Sequence, residues 1–192
     1  MKSFMLFFRI ILVVTTFFGI TANNLLNAEE TTDHKMLIVY YSHTGNAKFV
    51  AGQIQEITGA DIFELIPVHQ YPEDVSETIN RAREEREAGT LPALVAGIEN
   101  LTDYDVIFIG SPNWFSTLAL PVLTFLDTHD LSGKKVIPFI TYGGGGLANT
   151  ITDLKNLVPH AEVLDEFGVG RDNVQTSQAS ILEWLTRVLG QN

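Results

Sequence analysis

A chain of 192 residues, 45% hydrophobic and 18% charged, has room for one domain with its own core and is short for two. It contains no cysteine, which excludes disulfides, thiol catalysis, cysteine-ligated metal and lipid attachment through a thiol. A formal charge of −11 repels nucleic acid and anionic membrane alike, so neither is an expected partner of the folded domain.

Residues 1–28 read as a targeting segment: Lys2 and Arg9 provide a positive start, and Ile10 to Ile20 is an apolar run of 11 residues. A bilayer-spanning helix needs roughly 20 such residues, so the run suits a signal peptide and export to the bacterial periplasm or cell envelope. Leu26 stands where a small residue is preferred for cutting after Ala28, and an uncleaved N-terminal anchor is the alternative. Only through that segment would the chain meet a membrane. Without it, residues 29–192 carry 10 basic and 23 acidic side chains, a formal charge of −13. Such a surface keeps an exported domain soluble and steers toward basic partners.

After a polar linker, Glu29 to His34, short apolar runs alternate with helical stretches, the pattern of a parallel sheet covered on both faces. Met36–Tyr41 is the first strand, and Asn46–Ile57 a helix carrying Phe49, Val50, Ile54 and Ile57 at three-and-four spacing, closed by Thr58-Gly59. Asp61–Ile66 is the second strand. Residues 72–88 predict a solvated helix opened by Pro72, with Glu77 four before Arg81 and Arg83 four before Glu87. Asp105–Gly110 is the third strand, a helix opens at Leu120-Pro121, and Lys135–Thr141 is the fourth strand. Pro138 within it argues for an edge position or a local irregularity. A helix over Ala148–Leu157, a weak fifth strand over Glu162–Asp165 and a terminal helix over Asn173–Leu189 complete the domain, residues 35–190. Five strands, each followed by a helix, fit a three-layer α/β sandwich with a five-stranded parallel sheet in the order 2-1-3-4-5.

In that order the loops after strands one, three and four share one rim. The first holds Ser42, His43, Thr44, Gly45, Asn46 and Ala47. Short hydrogen-bonding side chains and a glycine at a helix N-terminus suit a phosphate, and the missing lysine favours a monophosphate over a triphosphate with magnesium. Plain helix capping by Thr44 or Asn46 is the bland alternative. The second loop holds Pro112, Asn113, Trp114, Phe115, Ser116 and Thr117, with two aromatics on which a planar ring could stack. The third holds Tyr142, a further ring wall, and Gly143, Gly144, Gly145 and Gly146, useful where backbone must bend sharply or approach a ligand closely. Gly143, Gly145 and Ala148, with Asp165 downstream, also satisfy a dinucleotide fingerprint. That pattern belongs on a first βαβ unit, and here it sits late in the chain.

Tyr40-Tyr-Ser-His-Thr-Gly-Asn-Ala47, Tyr104 to Phe115, Leu120 to Leu126 and Tyr142 to Gly146 together resemble the flavodoxin superfamily, and most closely its short, exported flavodoxin-like FMN branch. The resemblance implies a flavodoxin-like fold and noncovalent FMN. The phosphate would lie on Ser42 to Ala47, and the isoalloxazine between the Pro112–Thr117 and Tyr142–Gly146 loops. Electron-carrier flavodoxins commonly place a glycine in the loop after strand three; between Ser111 and Thr117 this chain has none, and Asn113 is the residue there that tolerates a positive φ. Two-electron chemistry with NAD(P)H or a quinone is therefore as compatible as electron transfer to a partner protein, and a non-enzymatic binding module in the envelope is the alternative. An exported hydrolase lacks its G-x-S-x-G elbow. His34, His43, His69, His129 and His160 lie scattered, without metal-ligand spacing.

Overall fold

The computed structural model describes residues 34–190; the expected targeting segment, residues 1–28, lies outside them. Strand β1 (Met36–Tyr40) is flanked in parallel by β2 (Asp61–Glu64) and β3 (Val106–Trp114). The far side of β3 pairs in parallel with β5 (Lys135–Tyr142), in register from Val106↔Lys135 to Pro112↔Thr141. The outer edge of β5 is covered by β6 (Glu162–Val163) and then β7 (Phe167–Gly170), both parallel to it. The spatial order is thus β2-β1-β3-β5-β6, which is the expected 2-1-3-4-5 path.

Two departures from the expectation concern the sheet. The fifth position is split, because the chain leaves the ladder between Val163 and Phe167. The gap lies opposite the stretch of β5 that holds Pro138, which has no N–H to give a ladder. Pro138 therefore marks an irregularity in a buried strand and not an edge. The other departure is β4 (Thr117–Leu118), which folds back antiparallel on the end of β3.

Alternation along the strands sends side chains to two cores. Ile38, Tyr40, Val106, Phe108, Ile137 and Phe139 pack with Val50, Ala51 and Ile54 of α1 (Asn46–Thr58) and with Ile181, Trp184, Leu185 and Val188 of α5 (Gln178–Leu189). Leu37, Val39, Ile107, Ile109, Val136 and Ile140 face Ala82 of α2 (Val75–Glu87), Val122 and Phe125 of α3 (Leu120–Thr128) and Leu154 of α4 (Thr150–Leu157). The result is three layers. The terminal helix is shorter than its pattern: residues Arg171–Thr176 form a 3-10 turn, and α5 starts after Ser177. Trp184 of α5 is buried, its indole Nε1 donating to the Asp165 carbonyl at 3.0 Å, whereas Leu182 is exposed. Among the described residues no helix is long and apolar enough to cross a membrane.

Candidate cofactor site

The rim at the carboxyl ends of the strands carries the first loop between β1 and α1. Gly45 is the N-cap of α1 at φ 85°, and no side chain caps the helix, so the capping alternative for Thr44 or Asn46 is not what the loop does. The first-turn N–H groups, unpaired within a helix by its geometry, and the positive end of the dipole are left for a ligand. Ser42 adds an independent sign: its hydroxyl is buried without a hydrogen-bond partner among the described residues, a state that costs free energy unless something fills it. Ala47 is fully buried under the loop. His43 turns its ring edge to Trp114, centroids 6.1 Å apart, and burial lowers its pKa, keeping the imidazole neutral near pH 7.

The second loop is a hairpin. β3 runs on through Pro112, Asn113 and Trp114, and Trp114 pairs with Thr117 of β4. The two residues between them, Phe115 and Ser116, have φ of 52° and 69°. Positive φ at both central positions is the type I′ requirement usually met by Asn-Gly. The left-handed positions expected at Asn113 therefore fall on Phe115 and Ser116. Ser111 fixes the hairpin base, its buried hydroxyl donating to the Pro112 carbonyl at 2.8 Å and accepting from the Ala119 N–H at 2.9 Å. The tip is held by the Asn149 N–H, 2.9 Å from the Ser116 carbonyl.

Helix α2 closes a third side, and it is more than the solvated helix its charges suggested. Asp74 caps it by accepting from the Glu77 N–H at 2.9 Å, so it starts later than Pro72. The expected Glu77–Arg81 and Arg83–Glu87 pairs give way to Arg81–Glu85 at 2.9 Å. The Arg81 guanidinium also donates to the His69 and Gln70 carbonyls at 2.8 Å and lies over the Tyr71 ring, 4.2 Å from its centroid. Tyr71 in turn donates to Glu85, its phenol pKa pushed up by burial and then by that carboxylate. Tyr71 meets Trp114 edge to face at 5.0 Å, and Tyr41 meets Trp114 at 5.5 Å. Trp114 is thus packed against two tyrosine rings, which also meet each other at 6.2 Å. Arg86 lies 5.7 Å over Phe115.

In the third loop, Asn113 donates through Nδ2 to the Gly146 carbonyl at 2.6 Å and ties hairpin to glycine run. Gly146 is at φ 62°, and Ala148 at φ 49° delays α4 to Thr150, two residues past the expected start. Tyr142 lies against β7. A Cβ at Gly168 would sit 2.8 Å from Leu147 Cδ2 and 3.3 Å from Tyr142 Cε1, so Gly168 makes room for both side chains, while a Cβ at Gly170 would lie in ordinary contact with the Tyr142 ring at 3.5 Å.

A cleft of about 410 Å³ joins the three loops, lined by His43, Thr44, Asn46, Pro112, Asn113, Trp114, Phe115, Tyr142 and Gly143. Its size is that of a small-molecule or cofactor site. The remaining expected residues do not line it. Ser42 opens into an adjoining cavity of about 530 Å³, which shares His43 and Thr44, while Gly45, Ala47, Ser116, Thr117, Gly144, Gly145 and Gly146 shape the loops from behind. The cleft also takes in Val75, Thr78, Ile79 and Ala82 of α2, Thr141 and Arg171, none of which is among the residues the sequence pattern assigns to the site. The Asp74–Glu77 spacing, a helix-start signal, could have aligned α2; Arg171 carried no signal.

An open parallel sheet with a ligand cleft outside its carboxyl ends, where the strand order reverses, defines a flavodoxin-like α/β domain. A flavodoxin family model matches residues 35–188, and the chain belongs to the flavodoxin family. Among solved structures, a candidate flavoprotein from Bacteroides eggerthii is 30% identical with a TM-score of 0.70, covering 81% of this chain and 98% of its own. One from Bacteroides uniformis is 26% identical with a TM-score of 0.71, covering 80% and 98%. A flavoprotein from Lactobacillus acidophilus, solved in complex with FMN, is 25% identical with a TM-score of 0.61, covering 77% and 99%.

Proposed function

We propose that this chain is an exported FMN-dependent redox protein that exchanges electrons with a small molecule of the NAD(P)H or quinone type. The observation that carries the reading is that the cleft brings the uncapped helix N-terminus together with the ring walls Trp114 and Tyr142, while the unpartnered Ser42 hydroxyl opens into the cavity adjoining it. The donors suit a phosphate monoester and the walls suit a flat ring. FMN holds both on one molecule, and the FMN complex of the Lactobacillus acidophilus relative agrees. When bound, FMN supplies the two-electron chemistry between reductant and quinone. The chain binds and orients it: Ser42, Thr44 and Asn46 take the phosphate, and Trp114, held by Tyr41 and Tyr71, keeps one ring wall rigid. Val75 and Ile79, exposed on α2 and lining the cleft, leave apolar surface for a small reactant, which favours this chemistry over a purely protein-borne exchange. Export rests on residues 1–28.

Purified protein supplied with FMN, NADH or NADPH and a soluble quinone is expected to oxidise the nicotinamide with multiple turnovers. Reduction of FMN only by a partner protein, with no turnover on any nicotinamide or quinone, would show a dedicated carrier instead.

A further inference from the structure

Building on that reading, we propose that Arg171 forms, with Val75 and Ile79 of α2, a subsite at the cleft for an aromatic reactant bearing an anionic substituent such as a sulfonate or carboxylate. Among the described residues lining the cleft, Arg171 is the one Lys, Arg, Asp or Glu, on a chain whose formal charge is −11. The adjoining cavity, by contrast, is lined by Glu64 and Glu73. Arg171 thus places a guanidinium, paired with the exposed Asp172, at a cleft whose lining holds no carboxylate; such a local positive charge in a negative field selects for negative charge in whatever enters.

The place of Arg171 is fixed by backbone. It follows Gly170, the last residue of β7, which pairs in register with Tyr142, so its backbone starts one residue past the Tyr142 wall, and both residues line the cleft. Its side chain is 70% exposed, and its ion pair is with Asp172 at 3.5 Å, itself 89% exposed. A pair so solvated holds the guanidinium weakly, and a ligand anion can take its place with the bidentate geometry that arginine favours. Val75 is 56% and Ile79 40% exposed; spaced four apart on α2, they share a face and supply the apolar contact that a neutral ring would also find. The subsite therefore separates two contributions, ring burial on α2 and charge on Arg171. The phosphate loop uses neither.

The test compares 1,4-naphthoquinone-2-sulfonate with neutral 1,4-naphthoquinone, binding each to FMN-loaded protein and to Arg171→Gln, with the FMN affinity read on the same samples. The sulfonate is expected to bind the unaltered protein more tightly than the parent, and Arg171→Gln to lose about tenfold of the sulfonate affinity, the lower end for a hydrogen bond to a charged group. The parent and FMN should be unaffected, and the sulfonate preference should shrink as salt is raised. A sulfonate that binds no better than the parent overturns the proposal. So does an Arg171→Gln protein whose main loss is in FMN affinity, because Arg171 would then serve the cofactor itself. Failure of the unaltered chain to bind FMN refutes the cofactor reading, and the Arg171-dependent preference is still read on the same protein without FMN, so the two failures are distinct.

Discussion

Gly110 sets how closely the first loop and the hairpin approach each other. It pairs with Tyr40 across the sheet, and a Cβ there would stand 2.1 Å from Phe139 Cζ and 2.6 Å from Tyr40 Cβ. Phe139 is fully buried, so its ring has nowhere to retreat. Gly110→Ala is expected to destabilise the fold by about 3 kcal/mol, toward the upper end for core overpacking, which chemical denaturation reads directly. An unchanged midpoint would mean that Phe139 has a second rotamer available. The contrast with the glycine run is instructive: a Cβ at Gly143 or Gly144 would meet nothing within 4 Å. Of the two, Gly143 lines the cleft, and packing requires neither.

At the scale of elements, the hairpin from Trp114 to Thr117 bears the strain. L-residues in the left-handed region cost about 1–2 kcal/mol each, and Phe115 and Ser116 both sit there. Phe115 is held by Arg86, whose Nη1 also reaches its carbonyl at 3.4 Å; Ser116 is held through its backbone alone. Ser116→Gly should therefore raise stability by about 1 kcal/mol, seen as a higher melting temperature, whereas a lower one would place the benefit in the serine side chain. Continuous apolar runs and three-and-four spacing made the strands and α1 legible in the sequence, since burial on both faces of a parallel strand leaves no other pattern. The hairpin was not legible: Trp114-Phe-Ser-Thr117 lacks the Asn-Gly signature, and tertiary clamps enforce the turn instead. Nor was β7, whose Phe-Gly-Val-Gly composition disfavours a strand; at Gly168 a Cβ would meet Leu147 Cδ2 at 2.8 Å, a long-range contact no local pattern shows. Of the site, the loop residues could be read because strand order places them on one rim. The wall from α2 and Arg171 depends on how a helix and a distant strand dock, which no local pattern encodes.

For the whole molecule, tyrosine hydroxyls tie segments distant in the chain to one another. Tyr104 donates to Asp61 at 2.7 Å, linking β2 to the segment before β3, and that hydrogen bond, followed by burial, pushes its pKa up to about 12. Burial first, and then Glu64 and Glu85 respectively, push Tyr40 and Tyr71 up as well. A folded pKa above the unfolded value of 10.0 means that the stabilisation is fully present below pH 10 and lost as pH rises toward the folded value. Unfolding free energy should therefore be level from neutral pH to about 9 and fall steadily above 10, with tyrosinate absorbance appearing together with unfolding. Tyrosinate that forms in a molecule still folded would show that these hydroxyls are free to ionise.

In the proposed binding mode the Ser42–Asn46 loop holds the phosphate of FMN while the aromatic walls hold the ring. Calorimetric titration of the unaltered protein and of a Thr44→Ala, Asn46→Ala double variant with FMN and with riboflavin, which lacks the phosphate, tests it most directly. The unaltered protein is expected to prefer FMN, and the double variant to lose most of its FMN affinity while binding riboflavin nearly as before. Equal losses for the two ligands, or no preference for FMN in the unaltered protein, would contradict it.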